Sequence, residues 1–232
     1  MIRVQGVCKQ FRRLVILDHA DLDVQDGSVV AILGPSGIGK TVLLRIMAGL
    51  LAPDAGQVFY DGKPMQWGAF ADNRRVLGGL GYVFQAGALF DSMTVAENVA
   101  MPLAEGLRLK RDEVERRVQV ALELVGMECN AALRPRVLSG GMARLVAIAR
   151  AVATDPRYIF YDEPTTGLDP AIRDRILGLV LKLKEEKRRT QVIVTHDMDA
   201  ARHVADRMYL LRGGHLVAAD DVRKEDYEST CT

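Results

Sequence analysis

Short continuous apolar runs recur along the chain, and most of them end at glycine or at polar residues. Runs of this kind are typical of strands that are buried on both faces of a parallel sheet. The clearest of them are 29–33, 80–84, 158–161 and 192–195. Apolar residues at helical spacing follow the first run at Leu43, Met47 and Leu50. The pattern therefore predicts an α/β protein.

Three predicted helices lie between the runs 80–84 and 158–161. The capping box from Thr94 to Glu97 predicts a helix that begins near Val95. A second helix is predicted over 111–125, and Gly126 ends it. A third helix follows Ser139. Helices that cluster between two strand-rich stretches indicate a helical subdomain inserted into an α/β core.

The two ends of the chain are predicted to be strand-rich. Residues 2–33 are interpreted as short strands broken by turns, with Asp26 and Gly27 as a turn signal. A closing hairpin is predicted over 207–219. Residues 63–76 carry no periodicity that we can interpret.

Composition excludes several classes of function. The chain has 232 residues with 31 Lys and Arg against 30 Asp and Glu, so a net charge of +1 gives no global attraction to nucleic acid. Cys8, Cys129 and Cys231 lack C-x-x-C spacing, so neither a disulfide framework nor a zinc site is indicated, and a reducing cytosol is the simplest fit. No apolar run approaches the length of about 18 residues that spans a bilayer, so any membrane function needs another subunit.

One stretch fits the phosphate-binding pattern G-x-x-x-x-G-K-[ST] completely, in the expected place between a buried strand and a helix. Its residues are Gly34, Pro35, Ser36, Gly37, Ile38, Gly39, Lys40 and Thr41. Backbone N–H groups in such a loop point at one anion, Lys40 is expected to reach the β and γ phosphates, and Thr41 is expected to ligate Mg²⁺. The alternative is a chance glycine-rich turn.

Polar side chains follow three of the buried runs. Asp162 and Glu163 follow 158–161, Gln85 follows 80–84, and His196 follows 192–195. Since ligands of open α/β sheets bind at the carboxyl ends of the strands, we expect these residues at one edge. In a P-loop protein, the economical assignment gives Asp162 to Mg²⁺ and Glu163 to the attacking water, while Gln85 could face the metal.

Other candidates have a structural alternative of equal or greater weight. Ser139, Gly140 and Gly141 open a helix and form either a second anion site or only a cap. Asp169 caps a helix that begins at Pro170, and that role suffices for it. Phe11 is either an exposed ring that stacks on an adenine or an ordinary core residue. We interpret the remaining histidines, His19, His203 and His215, as structural.

With these motifs in this order, the chain resembles the nucleotide-binding subunit of ABC transporters over nearly its whole length. The resemblance implies a P-loop NTPase (RecA-like) α/β core with an antiparallel β subdomain and an inserted α-helical subdomain. It implies a single domain, 1–232, in which 1–86 and 158–232 form the core with its β subdomain and 87–157 form the helical subdomain.

The resemblance also implies cofactors, partners and residue roles. The cofactors are ATP and Mg²⁺, and the subunit forms a head-to-tail homodimer. Ser139, Gly140 and Gly141 close over the γ-phosphate held by the partner, and Asp169 couples the two sites. Gln85 senses Mg²⁺ and the attacking water, and His196 contacts the γ-phosphate. Phe11 matches the adenine-stacking aromatic.

Two stretches narrow the resemblance. Residues 84–103 and 138–144 look like those of the Mla/Mce-type phospholipid transport ATPases, and Met142 stands where most ABC subunits have Gln or Glu. Gly167 departs from the Ala usual at its position. The chain stops soon after Ala219, whereas those relatives extend further, so a tail-mediated dimer contact or a small regulatory partner is not carried over.

This narrower resemblance implies an ATPase that drives transport of phospholipid or a related hydrophobic substrate. Its expected partners are an integral membrane permease, with 87–101 as the candidate contact, and a lipid-binding Mce-type subunit, but no nucleic acid. The expected location is the cytoplasmic side of the inner membrane. The alternatives are the ATPase of a non-lipid ABC transporter, a non-transport regulatory or DNA-repair ABC protein, and a P-loop kinase or GTPase, although no N-K-x-D element occurs.

Overall fold

A largely parallel sheet forms the centre of the computed structural model, which describes residues 1–67, 79–187 and 189–219. Among the strands of this sheet that the structure describes, only β10 runs antiparallel to its neighbour. Within the described residues its strands, in spatial order, are β10 (His215–Ala218), β9 (Arg207–Arg212), β3 (Val29–Leu33), β8 (Thr190–Thr195), β7 (Tyr158–Asp162) and β6 (Leu80–Val83). The carboxyl ends of β3, β6, β7 and β8 therefore meet at one edge.

An antiparallel sheet packs beside the central one. In the described part of the chain its strands, in spatial order, are β2 (Leu14–Val24), β1 (Ile2–Phe11), β4 (Ala55–Tyr60) and β5 (Lys63–Pro64). The short strands predicted over 2–33 are wrong in length, because β1 and β2 run for 10 and 11 residues. Register shifts after Val4, Val7 and Lys9 bend the pair without ending it.

Six α-helices complete the described residues. They are α1 (Lys40–Met47), α2 (Val95–Met101), α3 (Arg111–Val125), α4 (Gly140–Ala153), α5 (Pro170–Lys187) and α6 (Met198–Val204). Helices α2, α3 and α4 lie between β6 and β7 in the chain, as the sequence predicted. The capping box at Thr94 and the αL cap at Gly126 are both present.

The central sheet is buried on both faces, which explains its continuous apolar strands. On one face Phe160 and Val192 join a core with Leu43 of α1 and with the antiparallel sheet. On the other face Ile159 and Ile193 join a core with helices α2, α3, α4 and α5. Of the stretch 63–76, only 63–67 lie within the described residues, where the Trp67 Nε1 donates to Gln57 Oε1 at 3.0 Å.

Candidate functional site

The phosphate-binding loop joins β3 to α1, as the motif requires. Gly39 precedes the helix with φ of 115°, and a Cβ there would lie 2.5 Å from Cγ2 of Ile16, so only glycine fits. The Lys40 side chain is 5% exposed. Its Nζ donates to the carbonyl oxygens of Gly34 at 2.7 Å and Pro35 at 3.0 Å. The Lys40 side chain is thus folded back over the phosphate-binding loop, where a bound anion would contact its ammonium group.

Asp162 ends β7 beside the first turn of α1. It is 2% exposed, and the Thr41 hydroxyl donates to its Oδ1 at 2.7 Å. The Tyr82 hydroxyl on the neighbouring β6 donates to Oδ2 at 3.3 Å, and burial, together with the Asp162 charge, raises the pKa of Tyr82. A buried carboxylate next to a hydroxyl is a hard oxygen donor set of the kind that Mg²⁺ takes. Thr41 and Asp162 therefore fit Mg²⁺.

Glu163 is held by three polar side chains. Its Oε2 accepts from the Thr166 hydroxyl at 2.8 Å and lies 2.9 Å from Nδ1 of His196, and its Oε1 lies 3.2 Å from Nζ of Lys40. Burial acts to raise the pKa of Glu163, but these hydrogen bonds and the Lys40 charge outweigh it and lower the pKa below its ordinary value. Glu163 is therefore an ionised carboxylate at neutral pH, as a general base must be.

The backbone at Glu163 is unusual for a non-glycine residue. Its φ is 48°, and its carbonyl oxygen accepts from Nη1 of Arg144 at 3.0 Å. Such conformations persist only where the surroundings enforce them. Arg144 of α4 therefore positions the carboxylate through the backbone, and neither local pattern nor spacing indicated that contact.

The structure brings Lys40, Thr41, Asp162, Glu163 and His196 into one contact group. Gln85 follows β6, the neighbour of β7, and is exposed at the same edge. Its role toward metal and water stays a prediction.

The glycine pair after Ser139 lies at the start of α4. Ser139 Oγ accepts from the Met142 N–H at 3.2 Å, which is the predicted cap. Ser139 and Gly140 are exposed, whereas Gly141 is buried, and a Cβ on it would lie 3.0 Å from the Ile172 side chain. The second anion site stays a prediction.

Asp169 has the capping role that the sequence predicted. Its Oδ1 accepts from the Ile172 N–H at 3.0 Å in the first turn of α5. Because Gly141 packs closely against the Ile172 side chain, the starts of α4 and α5 are in contact. A coupling role for Asp169 stays a prediction.

Phe11 lies at the end of β1 with 47% of its surface exposed. The Lys9 ammonium is 5.5 Å from the centroid of its ring. This exposure rules out the core alternative, and stacking on an adenine stays a prediction.

Comparison with known proteins decides the family. A protein-family sequence model described as ABC transporter matches residues 17–166. These residues include the phosphate-binding loop, Ser139 to Gly141, Asp162 and Glu163. The chain belongs to the ABC transporter family. This ABC subunit is an ATPase with the α/β P-loop fold that the sequence predicted, and the resemblance stated above is confirmed.

Relatives of this ABC ATPase have different substrates. It is 40% identical to the intermembrane phospholipid transport ATP-binding protein MlaF of Haemophilus influenzae, over 94% of this chain and 83% of that protein. It is also 40% identical to the sulfate/thiosulfate import ATP-binding protein CysA of Caulobacter vibrioides, over 93% of this chain but only 63% of that protein's length.

A solved structure of similar fold contains hydrolysis products. The dimeric post-hydrolysis state of the ATP-binding cassette MJ0796, bound to ADP and phosphate, is 33% identical with a TM-score of 0.86, covering 93% of this chain and 96% of that one. Among the described residues of our ABC ATPase, none of the helices has the length and apolarity needed to cross a bilayer.

Proposed function

We propose that this ABC ATPase energises movement of a phospholipid, or of another hydrophobic substrate, across or between membranes. The observation that carries the proposal is the segment 84–103, whose sequence looks like that of the phospholipid transport ATPases. Met142, which stands where most ABC subunits have a polar side chain, supports the same subgroup. The 40% identity to MlaF agrees with it.

The same segment offers a surface for a membrane permease. An apolar groove lies between β6 and the helices, and its lining includes Leu80, Tyr82, Phe84, Ala88, Phe90 and Met101. Phe90 is 46% exposed there. An exposed apolar groove of this kind suits an apolar segment of a partner protein. We propose that the permease docks in it, on the cytoplasmic side of the inner membrane.

Arg150 connects this groove to α4, the helix that Ser139 caps. The Arg150 guanidinium on α4 donates to the carbonyl oxygens of Ala88 at 2.7 Å and Gly87 at 2.8 Å. Burial lowers the pKa of Arg150, but an arginine stays charged, and charge-assisted bonds of this kind are strong. A shift of α4 would therefore move the groove, which is how closure at Ser139 to Gly141 would reach the permease.

The proposed catalytic unit is a head-to-tail homodimer around two ATP and two Mg²⁺. Thr41 and Asp162, with Gln85, would hold the metal, which neutralises phosphate charge when bound. Glu163 would take the proton of the attacking water, and His196 would orient Glu163 and contact the γ-phosphate. The partner subunit would contribute Ser139, Gly140 and Gly141, with Asp169 coupling the sites and Phe11 stacking on the adenine.

Sulfate or thiosulfate import is the second candidate, since the Caulobacter relative is equally identical. A lipid-binding Mce-type subunit is part of the first proposal and not of the second. The two candidates therefore differ in the proteins and small molecules that accompany the permease.

The test is affinity purification of the full chain from its source membranes in mild detergent, with mass spectrometry of the proteins and lipids that co-purify. We expect a multi-span permease with bound phospholipid. The groove variant Phe90→Asp should lose the permease, whereas Val217→Asp, which changes an exposed apolar residue of β10, should retain it.

Two outcomes would overturn the proposal. A permease without phospholipid, in a complex whose ATP hydrolysis responds to sulfate, would favour the import candidate. Intact ATPase activity with no membrane protein recovered would favour a non-transport regulatory ABC protein.

A further inference from the structure

Thiol, carboxylate and imidazole side chains meet where the β1–β2 pair approaches the turn between β9 and β10. Cys8 lies on β1, Asp18 and His19 lie on β2, and His215 begins β10. Spacing along the sequence gave no indication of this group, because the side chains come from three different strands. None of these residues belongs to the nucleotide site described above.

The side chains are close enough to share one ion. The ligand atoms of Cys8, Asp18 and His19 all lie within 4.8 Å of one another. Nδ1 of His19 is 2.6 Å from Oδ1 of Asp18, and the His19 backbone N–H donates to Sγ of Cys8 at 3.3 Å. Nε2 of His215 lies 3.6 Å from Oδ2 of Asp18.

An irregularity in strand pairing creates this arrangement. Val7 pairs with Ala20 and Lys9 pairs with Leu17, so Cys8 alone faces the two residues Asp18 and His19. His19 takes up the extra length with φ of 47°, which is uncommon for a residue with a side chain. Bulges of this kind re-aim side chains and recur next to functional sites.

The backbone of Asp18 is fixed from the other side. Its N–H donates to the carbonyl oxygen of Gly214 at 3.0 Å, and a Cβ on Gly214 would lie 2.8 Å from the same nitrogen. The glycine therefore permits a close approach that sets Asp18 against the β9–β10 turn and brings His215 to it. Two sheets thus hold the group in place.

We propose that Cys8, Asp18 and His19 bind a divalent transition-metal ion of the Zn²⁺ class, with solvent in the fourth position and His215 facing the second oxygen of Asp18. Thiolate and imidazole ligands select Zn²⁺ over Mg²⁺ and Ca²⁺. Ligand atoms around tetrahedral Zn²⁺ lie about 3.3 to 3.6 Å apart. The 2.6 Å contact between His19 and Asp18 is shorter than this spacing, so the ion would replace that contact, and the other ligand atoms lie within 4.8 Å of one another. The His19 and Asp18 side chains are 76% and 46% exposed, which leaves room for this adjustment.

Such an ion would link β1 to β2 close to the nucleotide site. Ile16, two residues before Asp18, is the side chain that packs against Gly39 of the phosphate-binding loop. Phe11 follows Cys8 on the same strand. The metal would therefore brace the strand pair that carries Phe11 and supports the loop. This role does not depend on which substrate is transported.

The experiment uses the full chain with Cys129→Ser and Cys231→Ser, so that Cys8 is the remaining thiol. Co²⁺ is titrated into metal-free protein, thiolate-to-cobalt charge-transfer absorption is recorded, and Zn²⁺ is added in competition. We expect one Co²⁺ per chain, displaced by Zn²⁺ and not by an excess of Mg²⁺. Adding Cys8→Ser should abolish the absorption and weaken Zn²⁺ binding at least about tenfold.

Two further variants keep the result decisive. His19→Asn changes an exposed side chain, so it should fold and still weaken Zn²⁺ binding at least about tenfold. His203→Gln, on α6, should leave binding unchanged. The proposal is overturned if the starting protein shows no charge-transfer absorption, if the absorption survives Cys8→Ser, or if His203→Gln weakens binding as much as His19→Asn.

Discussion

Nζ of Lys40 lies 3.2 Å from Oε1 of Glu163, and the two side chains are only 5% and 8% exposed. The lysine that is expected to meet the phosphates is thus paired with the carboxylate that is expected to meet the attacking water. Breaking a buried pair by removing one partner leaves an uncompensated charge, which is costly. Bound phosphates would draw Lys40 away from Glu163 and take the place of the carboxylate as the negative partner of the lysine. Glu163 would then be released for catalysis.

The first prediction concerns the base itself. Glu163→Gln keeps the size of the side chain but removes the proton acceptor, so we expect ATP hydrolysis to fall at least about 100-fold. ATP affinity should not fall, because the phosphate-binding loop is unchanged. Phosphate release and binding of a fluorescent ATP analogue measure the two effects. Glu113→Gln, on the solvated face of α3, is the control and should hydrolyse ATP normally. Near-normal turnover in Glu163→Gln would contradict the assignment.

The second prediction concerns pH. Burial acts to raise the pKa of Glu163, but Thr166, His196 and Lys40 together lower it below the ordinary 4.5. A carboxyl whose pKa is lower in the folded than in the unfolded protein stabilises the fold fully at pH values above its unfolded-state pKa. This contribution is lost as the pH falls through its folded-state pKa. The wild type should therefore lose stability relative to Glu163→Gln as pH falls below about 4.5. Urea unfolding of both proteins across this range checks the sign. If the free energies of unfolding of the two proteins changed in parallel with pH, the folded protein would not favour the ionised over the protonated form of Glu163.

The features that local sequence determines were predicted well. The capping box at Thr94 and Glu97 involves neighbours in the chain, so it needs no knowledge of the tertiary structure. The strand 29–33 and its loop were recognisable because a strand buried on both faces is apolar throughout. Asp162 and His196 share an edge because parallel strands align their carboxyl ends.

Features that depend on tertiary contacts were missed. No role was predicted for the side chains of Arg144 and Arg150, yet both donate to backbone carbonyl oxygens of distant segments. The group of Cys8, Asp18 and His19 depends on a register shift that no periodicity signals. Phe11 stayed ambiguous for the same reason, since exposure at a strand end is a property of the packed molecule.

The third prediction separates adenine stacking by Phe11 from phosphate binding. Phe11→Ala should weaken ATP binding up to about tenfold, because an aromatic contact contributes roughly 0.5–1.5 kcal/mol beyond its buried area. Affinity for inorganic triphosphate, which lacks a base, should stay the same. Phe11→Tyr should keep the affinity for ATP, and Phe90→Ala, another exposed phenylalanine, is the control. Equal losses for ATP and triphosphate would argue against stacking.

The fourth prediction concerns Asn98, which is fully buried on α2. Its Oδ1 accepts from the Phe90 N–H at 2.7 Å, and its Nδ2 donates to the carbonyl oxygens of Phe90 at 3.1 Å and Thr94 at 2.9 Å. Asn98→Leu leaves the Phe90 N–H without this acceptor, whereas the carbonyl oxygens of Phe90 and Thr94 keep their bonds from the backbone N–H groups of Met93 and residue 98. We therefore expect a loss of about 1–3 kcal/mol in the free energy of unfolding. Urea unfolding measures it, and Val120→Ala, at an exposed position of α3, should change little. A loss of less than about 1 kcal/mol would mean that water replaces the amide.

The fifth prediction compares two glycines that become alanine with opposite results. Gly56, the second residue of β4, lies at the register shift between the pairs Cys8–Ala55 and Gln5–Gln57. Its φ is 81°, and a Cβ there would lie 2.2 Å from the carbonyl oxygen of Gly6. The atom that the Cβ would meet belongs to the backbone, so no side-chain movement relieves the overlap. Strain at positive φ and the overlap together should cost at least about 3 kcal/mol.

Gly178 lies within α5 at an exposed position, and a Cβ there would have no atom within 4 Å. Alanine restricts the unfolded chain and suits a helix, so Gly178→Ala should raise the free energy of unfolding by about 0.5–1 kcal/mol. Urea unfolding of both variants and the wild type is the measurement. If Gly56→Ala were as stable as the wild type, the pairing of β1 with β4 at this position would have to differ from the one described. A destabilised Gly178→Ala would instead mean that this face of α5 packs against a partner in solution.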